Sequence, residues 1–107
     1  MRPNIAVIAL ISLIAQLILS SIIFANSTGK IAGRIVEEGS GEPLPGVNVA
    51  ILGTQKGAIT DVDGYYSILN VSPGTYEIRA SFLGFQSKVV QNVRVTIGQT
   101  TTIDFSL

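Results

Sequence analysis

Apolar and polar residues alternate along most of the chain after Thr28, and a period of two predicts β-strands. In Thr75–Phe82, every second residue from Tyr76 onward is apolar, and the residues between are polar or charged. One face of this strand is therefore expected in a core and the other in water. The same alternation recurs in residues 30–36, 47–52, 66–68, 92–97 and 100–107.

Strong turn signals separate these stretches. Gly39–Gly46 contains two prolines, which lack the N–H donor that a strand ladder needs. Asp63-Gly64 and Ser72-Pro73-Gly74 predict tight turns, and Gly84 and Gly98 predict two further reversals. Six or seven short strands with a turn about every 8–12 residues predict an all-β fold, an antiparallel β-sandwich.

The first 27 residues follow a different pattern. Arg2 is the only charged residue before Lys30. Ile5–Ala25 is apolar except for Ser12, Gln16, Ser20 and Ser21. A positive start, an apolar stretch and the small residues of Ala25-Asn26-Ser27 predict an N-terminal hydrophobic signal helix. We expect cleavage after Ser27, or alternatively after Ala25.

An uncleaved anchor is the competing interpretation for residues 1–27, because the apolar stretch is close to the ~20 residues that span a bilayer. Either interpretation implies membrane contact through this segment before any cleavage. The predicted organisation is therefore a signal segment, residues 1–27, followed by one β-sandwich domain, residues 28–107.

Composition narrows the chemistry. The chain has no histidine and no cysteine, which removes the commonest general base, thiolate metal ligands, disulfides and cysteine nucleophiles. Seven basic and seven acidic residues give a net charge of zero, without the basic footprint of a nucleic-acid-binding domain. We therefore predict no enzymatic activity, no catalytic residues, no cofactor and no nucleic-acid partner.

Two motifs have a chemical and a structural interpretation. Asp61-Val62-Asp63-Gly64 begins like a calcium loop, but Tyr65 and Tyr66 occupy positions where that loop needs a ligand and a glycine. A turn whose aspartate accepts backbone N–H bonds is the favoured interpretation, so no metal site is predicted. The glycine-rich segment Gly39–Gly46 is not predicted to be a phosphate loop, because it has no lysine and no helix is predicted to follow it.

Tyr65 and Phe85 are candidate partner-binding residues. Tyr65 alternates with the inward-facing Tyr66, so its ring is expected to point outward. Exposed aromatic rings can stack on sugars or anchor a protein partner. The alternative is that both are partly covered aromatic residues at the rim of a sheet.

Six separated motifs resemble the carboxypeptidase regulatory-like domain family, which has a transthyretin-like (prealbumin-like) fold. They occur in order along residues 29–107: Gly33-Arg34-Ile35, Gly41–Val49, Gly53-Thr54, Thr60–Tyr66, Pro73–Tyr76 and Leu83-Gly84-Phe85. The resemblance implies a seven-stranded Greek-key β-sandwich. It does not imply peptidase activity, because the family's domain is non-catalytic and this chain lacks the histidine of a zinc site.

A closer similarity is to the N-terminal extension of TonB-dependent outer-membrane receptors, where this domain follows the signal peptide. This resemblance implies an exported accessory or interaction domain at the periplasmic face of the outer membrane. The chain stops at Leu107, before any plug or barrel, so the expectation is a truncated receptor. The alternative is a stand-alone secreted module that recognises a glycan or a cell-envelope protein.

Overall fold

The computed structural model describes residues 4–24 and 27–107. The first segment contains one helix, α1 (Ile5–Phe24). Within the described residues, no helix has the combination of length and apolar character that a membrane crossing requires. The second segment contains eight strands: β1 (Gly29–Val36), β2 (Asn48–Ile51), β3 (Gly57–Ile59), β4 (Tyr65–Val71), β5 (Gly74–Ser81), β6 (Lys88–Val95), β7 (Thr100–Thr102) and β8 (Phe105–Ser106).

The described residues test only some of the predictions for the N-terminal segment. A helix occupies the apolar stretch, as the pattern predicted. Arg2 and the alternative cleavage point at Ala25 lie outside the described residues. Export, cleavage and the domain boundary at residue 27 stay predictions.

The strands form two sheets that pack face to face. The β1 sheet has the order β4-β1-β7, with β8 also paired to β1, and the β5 sheet has the order β3-β2-β5-β6. Neighbours in the β5 sheet are all antiparallel, and so is the β1–β4 pair. The all-β sandwich prediction is therefore confirmed at the level of two packed sheets.

The prediction of a wholly antiparallel sandwich is wrong at one edge. β7 and β8 both run parallel to β1. A parallel pair needs a long crossover rather than a hairpin, and here the rest of the domain supplies it. The predicted last strand, residues 100–107, is also divided in two, because Ile103 and Asp104 leave the ladder between β7 and β8.

Most of the core consists of inward-facing residues of both sheets, as the alternation predicted, and Leu44, Val47 and Leu107 join it from outside the strands. The buried apolar side chains are Ile31, Ile35, Leu44, Val47, Val49, Ile51, Tyr66, Ile68, Val71, Ile78, Ala80, Val93, Val95, Phe105 and Leu107. The prediction failed at Ile97, whose side chain is 51% exposed. β6 ends at Val95, and Ile97 lies in the turn that carries the chain to the other sheet.

Two asparagines mark irregularities in the strands. Asn70 and Asn92 have φ values of 55° and 58°, in the left-handed region that asparagine tolerates better than most residues. Each lies where the register shifts, in the β1–β4 pair and in the β5–β6 pair respectively. The period-two pattern is interrupted at both points, which is why the alternation did not predict the first half of β6.

A buried hydroxyl fixes the proline-containing loop that connects β1 to β2. Thr60 Oγ1 donates to the Leu44 carbonyl at 2.6 Å and accepts from the Val47 N–H at 2.9 Å. The Gly46 N–H donates to the Thr60 carbonyl at 3.0 Å. These bonds compensate for the loss of hydration of Thr60 and place Leu44 in the core.

Candidate binding surface

A groove lies on the outward face of the β1 sheet, where three strands run side by side. Ala32 of β1 is opposite Ser67 of β4 on one side and Thr102 of β7 on the other. Ala32 is the smallest side chain in that row, so the surface is low in the middle. The groove has a volume of about 440 Å³ and is lined by Ala32, Gly33, Arg34, Tyr65, Tyr66, Ser67, Thr102 and Asp104.

Arg34 and Tyr65 form one wall of this groove, the Arg34–Tyr65 stack. They are cross-strand partners in the β1–β4 pair. The guanidinium carbon of Arg34 lies 5.3 Å from the centroid of the Tyr65 ring, within the range of a cation–π contact. Arg34 Nε also donates to the Asp63 carbonyl at 3.1 Å. The guanidinium group is therefore held by a stacking contact and a hydrogen bond.

Asp104 lines the groove on the side of β1 away from β4 and fills the break between β7 and β8. Its Oδ1 accepts from the Arg34 backbone N–H at 2.8 Å, in the place of a strand carbonyl. The Ile103 N–H, just before it, donates to the Ala32 carbonyl at 2.9 Å. The backbone bond uses one carboxylate oxygen of Asp104 and leaves the exposed side chain its other oxygen.

Tyr66 and Gly33 also line the groove, and both lie next to the Ile103 carbonyl. The Tyr66 hydroxyl donates to the Ile103 carbonyl at 2.6 Å. Burial raises the pKa of the Tyr66 phenol far above its ordinary value of 10.0, and the nearby Asp104 carboxylate raises it further. Tyr66 therefore stays protonated and keeps its bond to Ile103, while Gly33 leaves room for the Ile103 carbonyl to pass.

Tyr65 points outward, as the alternation predicted, and its side chain is 53% exposed. Its backbone is fixed by the preceding turn. The Tyr65 N–H donates to Asp61 Oδ1 at 3.0 Å, and the Asp61 N–H donates to the Tyr65 carbonyl at 2.9 Å. The Asp63 N–H also donates to Asp61 Oδ1, at 2.9 Å. The turn interpretation of Asp61–Gly64 is thus the one that the structure shows.

Phe85, the second predicted site residue, lies far along the chain in the loop between β5 and β6. It is half-buried and packs against the core. Its ring centroid is 5.6 Å from that of Phe82. Tyr65 belongs to the β1 sheet and Phe85 to a loop of the β5 sheet, and Phe85 does not line the groove. In the same loop, Leu83 is 96% exposed, which the sequence argument did not predict.

The side chains that line the groove include charged, hydroxyl and aromatic groups. The groove offers a guanidinium group, a carboxylate and the hydroxyls of Ser67 and Thr102. Among residues 4–24 and 27–107, no group of three acidic side chains is placed to hold a metal ion. The side chains present can exchange hydrogen bonds with a ligand and stack against it.

Sequence reasoning found Tyr65 and missed Arg34 and Asp104. Arg34 was placed on the outward face by its alternation with Gly33 and Ile35, but nothing in the pattern paired it with Tyr65. Asp104 lies 70 residues from Arg34 along the chain. The available signal was the alternation itself, which puts Arg34, Tyr65 and Asp104 on outward faces of separate strands.

The chain is similar in sequence to a known domain family and to several receptors. The family model of the carboxypeptidase regulatory-like domain matches residues 30–107. A TonB-dependent receptor of Formosa agariphila is 40% identical over 65 residues, and the TonB-dependent receptor SusC of Bacteroides thetaiotaomicron is 42% identical over 77 residues. These matches cover 61% and 72% of this chain but only 6% and 7% of the receptors.

Among solved structures, one similar chain is found in a type II cohesin–X-dockerin complex from Acetivibrio cellulolyticus. It is 28% identical, with a TM-score of 0.63, and the match covers 72% of this chain and 52% of that one. A similar fold therefore occurs in a chain of that complex.

Proposed function

The chain belongs to the carboxypeptidase regulatory-like domain family, as its motifs predicted, and from that premise we propose that it is a non-catalytic accessory domain of a TonB-dependent outer-membrane receptor. The observation that carries the proposal is the identity of about 40% to two such receptors. Because the chain spans only 6–7% of the length of these relatives, it corresponds to one small part of a receptor.

In this proposal the domain acts by contact. Residues 1–27 direct export, and the sandwich, residues 28–107, lies at the periplasmic face of the outer membrane. Its partner is a cell-envelope protein or a glycan. Tyr65 is one contact residue because its ring is exposed, and Phe85 is a second because it supports the exposed Leu83 loop.

A non-catalytic role is supported by the residues of the groove. General acid–base catalysis at neutral pH is most efficient when the pKa of the catalytic group lies near the working pH. The chain has no histidine, the side chain whose ordinary pKa is closest to that value. The pKa of the Tyr66 phenol is raised, which moves that group further from neutrality. One carboxylate oxygen of Asp104 accepts from the Arg34 backbone N–H, and Arg34 Nε donates to the Asp63 carbonyl.

The proposal is tested by the size and location of the native polypeptide. An antibody raised against the full chain is used to probe fractionated cells of the source organism. A receptor domain predicts a band many times larger than 11.3 kDa in the outer-membrane fraction. A band at or below 11.3 kDa in the soluble periplasm or the medium would contradict the receptor assignment. Reading the coding DNA beyond Leu107 gives an independent check.

The second candidate function is a stand-alone secreted module that recognises a glycan or a cell-envelope protein. The observation that favours it is the groove, which has hydrogen-bonding groups on both sides and an aromatic wall. The small soluble band that contradicts the receptor proposal is the result that this candidate predicts.

A further inference from the structure

We propose that the groove on the outward face of the β1 sheet is a binding subsite for a neutral saccharide, with the Arg34–Tyr65 stack towards β4 and Asp104 towards β7 and β8. The inference rests on the arrangement of these side chains and applies equally to a receptor domain and to a secreted module. It assigns a ligand class and a set of contact residues to a surface that combines Arg34 and Tyr65 of the family motifs with Asp104, which lies outside them.

The charges of the groove favour a ligand without net charge. One guanidinium group and one carboxylate line it, so their long-range fields largely cancel. Within residues 4–24 and 27–107, the side-chain ion pair is the one between Lys88 and Glu38, at 3.3 Å. Arg34 and Asp104 are therefore not neutralised by each other through a direct side-chain ion pair.

A hydroxyl group satisfies both sides of such a site. The guanidinium of Arg34 offers only donors, and the free oxygen of Asp104 offers only an acceptor. A hydroxyl can accept from the first and donate to the second, whereas an anion or a cation pairs with one side and is repelled by the other. A ligand with several hydroxyls also matches Ser67 and Thr102, whose side chains border the same groove.

The aromatic wall supplies the apolar part of the contact. A sugar ring has a face of C–H groups beside its hydroxyls, and aromatic rings give such faces a rigid apolar surface. Tyr65 is exposed and has its backbone fixed by Asp61, while the Arg34 guanidinium is held by its Nε hydrogen bond and by the Tyr65 ring. A wall that is already ordered loses little conformational entropy on binding.

A peptide strand added to the edge of β4 is a different occupant, and the geometry disfavours it here. The N–H and C=O of Tyr65 are both already bonded to Asp61. An added strand would have to break these bonds to pair with the first residue of β4. The groove instead lies on the face of the sheet and presents side chains.

The test is a titration of the full chain followed by NMR. The ¹⁵N-labelled protein is kept in solution with a detergent whose headgroup carries no sugar. The probes are two neutral oligosaccharides, maltohexaose and cellohexaose, and the charged oligogalacturonate. Binding of a neutral probe is expected to shift the Arg34 Nε–H signal and the amide signals of Ser67 and Thr102, with the core amides unchanged.

Matched variants separate the groove from the rest of the surface. Tyr65→Ala should weaken binding by about tenfold, as for an anchoring aromatic residue. Asp104→Asn keeps an oxygen for the Arg34 N–H but replaces the free acceptor by a donor, so it should also weaken binding about tenfold. Leu69→Ala is the control, because Leu69 is an exposed apolar residue of the same strand that does not line the groove.

One result of the titrations supports the proposal, and three results would overturn it. Shifts at the groove with a neutral probe, weakened by Tyr65→Ala and unchanged by Leu69→Ala, support the proposal. Binding of oligogalacturonate alone would identify an anion site at Arg34 and overturn it. Absence of shifts with all three probes, or concentration-dependent shifts from self-association at the same residues, would also overturn it.

Discussion

The two faces of the β1 sheet are made by the same strands and do opposite things. On the inner face, Ile31 and Ile35 of β1 are 0% exposed and pack in the core. On the outer face, Ala32 and Arg34 of the same strand border a groove of about 440 Å³. Because successive side chains of a strand point to opposite faces, a shift of one position exchanges a core residue for a surface residue.

The difference shows where stability and recognition are located in this small domain. The inner face is constrained by packing, and each methylene removed there leaves a cavity. The outer face is constrained by hydrogen bonds to a few groups, and most of its side chains remain free to contact a ligand. Substitutions on the two faces should therefore be separable into effects on unfolding and effects on binding.

The largest effect is expected for Ile35→Ala. Its side chain is fully buried between the two sheets, so truncation should lower the free energy of unfolding by about 2–5 kcal/mol. Urea unfolding followed by circular dichroism measures this change. The matched control on the outer face is Ser67→Ala, which should stay within about 0.5 kcal/mol of the wild type. Equal losses for the two variants would break the comparison.

A smaller but still large effect is expected for Gly33→Ala, which tests the lining of the groove from within the same strand. A Cβ at this position would overlap the Ile103 carbonyl oxygen, a backbone atom that cannot rotate away. The spacing between β1 and the parallel β7–β8 segment would have to widen at this point, at a cost of about 1–3 kcal/mol. The urea midpoint measures the cost, and the amide signal of Arg34 reports whether its bond to Asp104 survives. An unchanged midpoint would show that the two segments can move apart here without loss of stability.

The smallest effect is expected for Tyr66→Phe, whose ring belongs to the inner face and whose hydroxyl reaches Ile103. Loss of the hydroxyl leaves the Ile103 carbonyl without this donor, which should lower the free energy of unfolding by about 1 kcal/mol. The comparison is sharpened by its pH dependence. The pKa of the Tyr66 phenol is raised above 10.0 in the folded state, so the folded protein binds this proton more tightly than the unfolded chain.

The sign of that dependence follows directly. The stabilisation from Tyr66 is complete below the unfolded pKa of 10.0 and is lost as the pH rises above it. Wild type should therefore lose more stability than Tyr66→Phe when urea midpoints at about pH 8 and about pH 11 are compared. Tyr65 and Tyr76 are present in both proteins, so they cancel in this difference. Parallel losses in the two proteins would show that Tyr66 titrates normally.

Much of the architecture was predictable because burial leaves a local trace. The alternation in Thr75–Phe82 predicted β5, and the turn signals at Asp63-Gly64 and Gly84 marked real reversals. β3 was missed because three residues are too short to show a period. Ile97 was misplaced because an apolar residue continued the alternation beyond the last residue of β6.

The candidate site was predictable only in part. The outward direction of Tyr65 followed from its neighbour Tyr66, since the two must point to opposite faces. The contact with Arg34 depends on the register between β1 and β4, and the bond from Arg34 to Asp104 depends on the order of strands in the sheet. Neither quantity is encoded in the period of a single strand.

By itself, then, the sequence determined the class of fold, the family, most of the core and the absence of histidine and cysteine side chains. These follow from local properties, because each residue's polarity fixes the face on which it can be buried. Only the tertiary structure decided that β7 and β8 run parallel to β1 and that Asp104 fills the break between them. The physical reason is that pairing between distant strands is selected by the packing of the whole core.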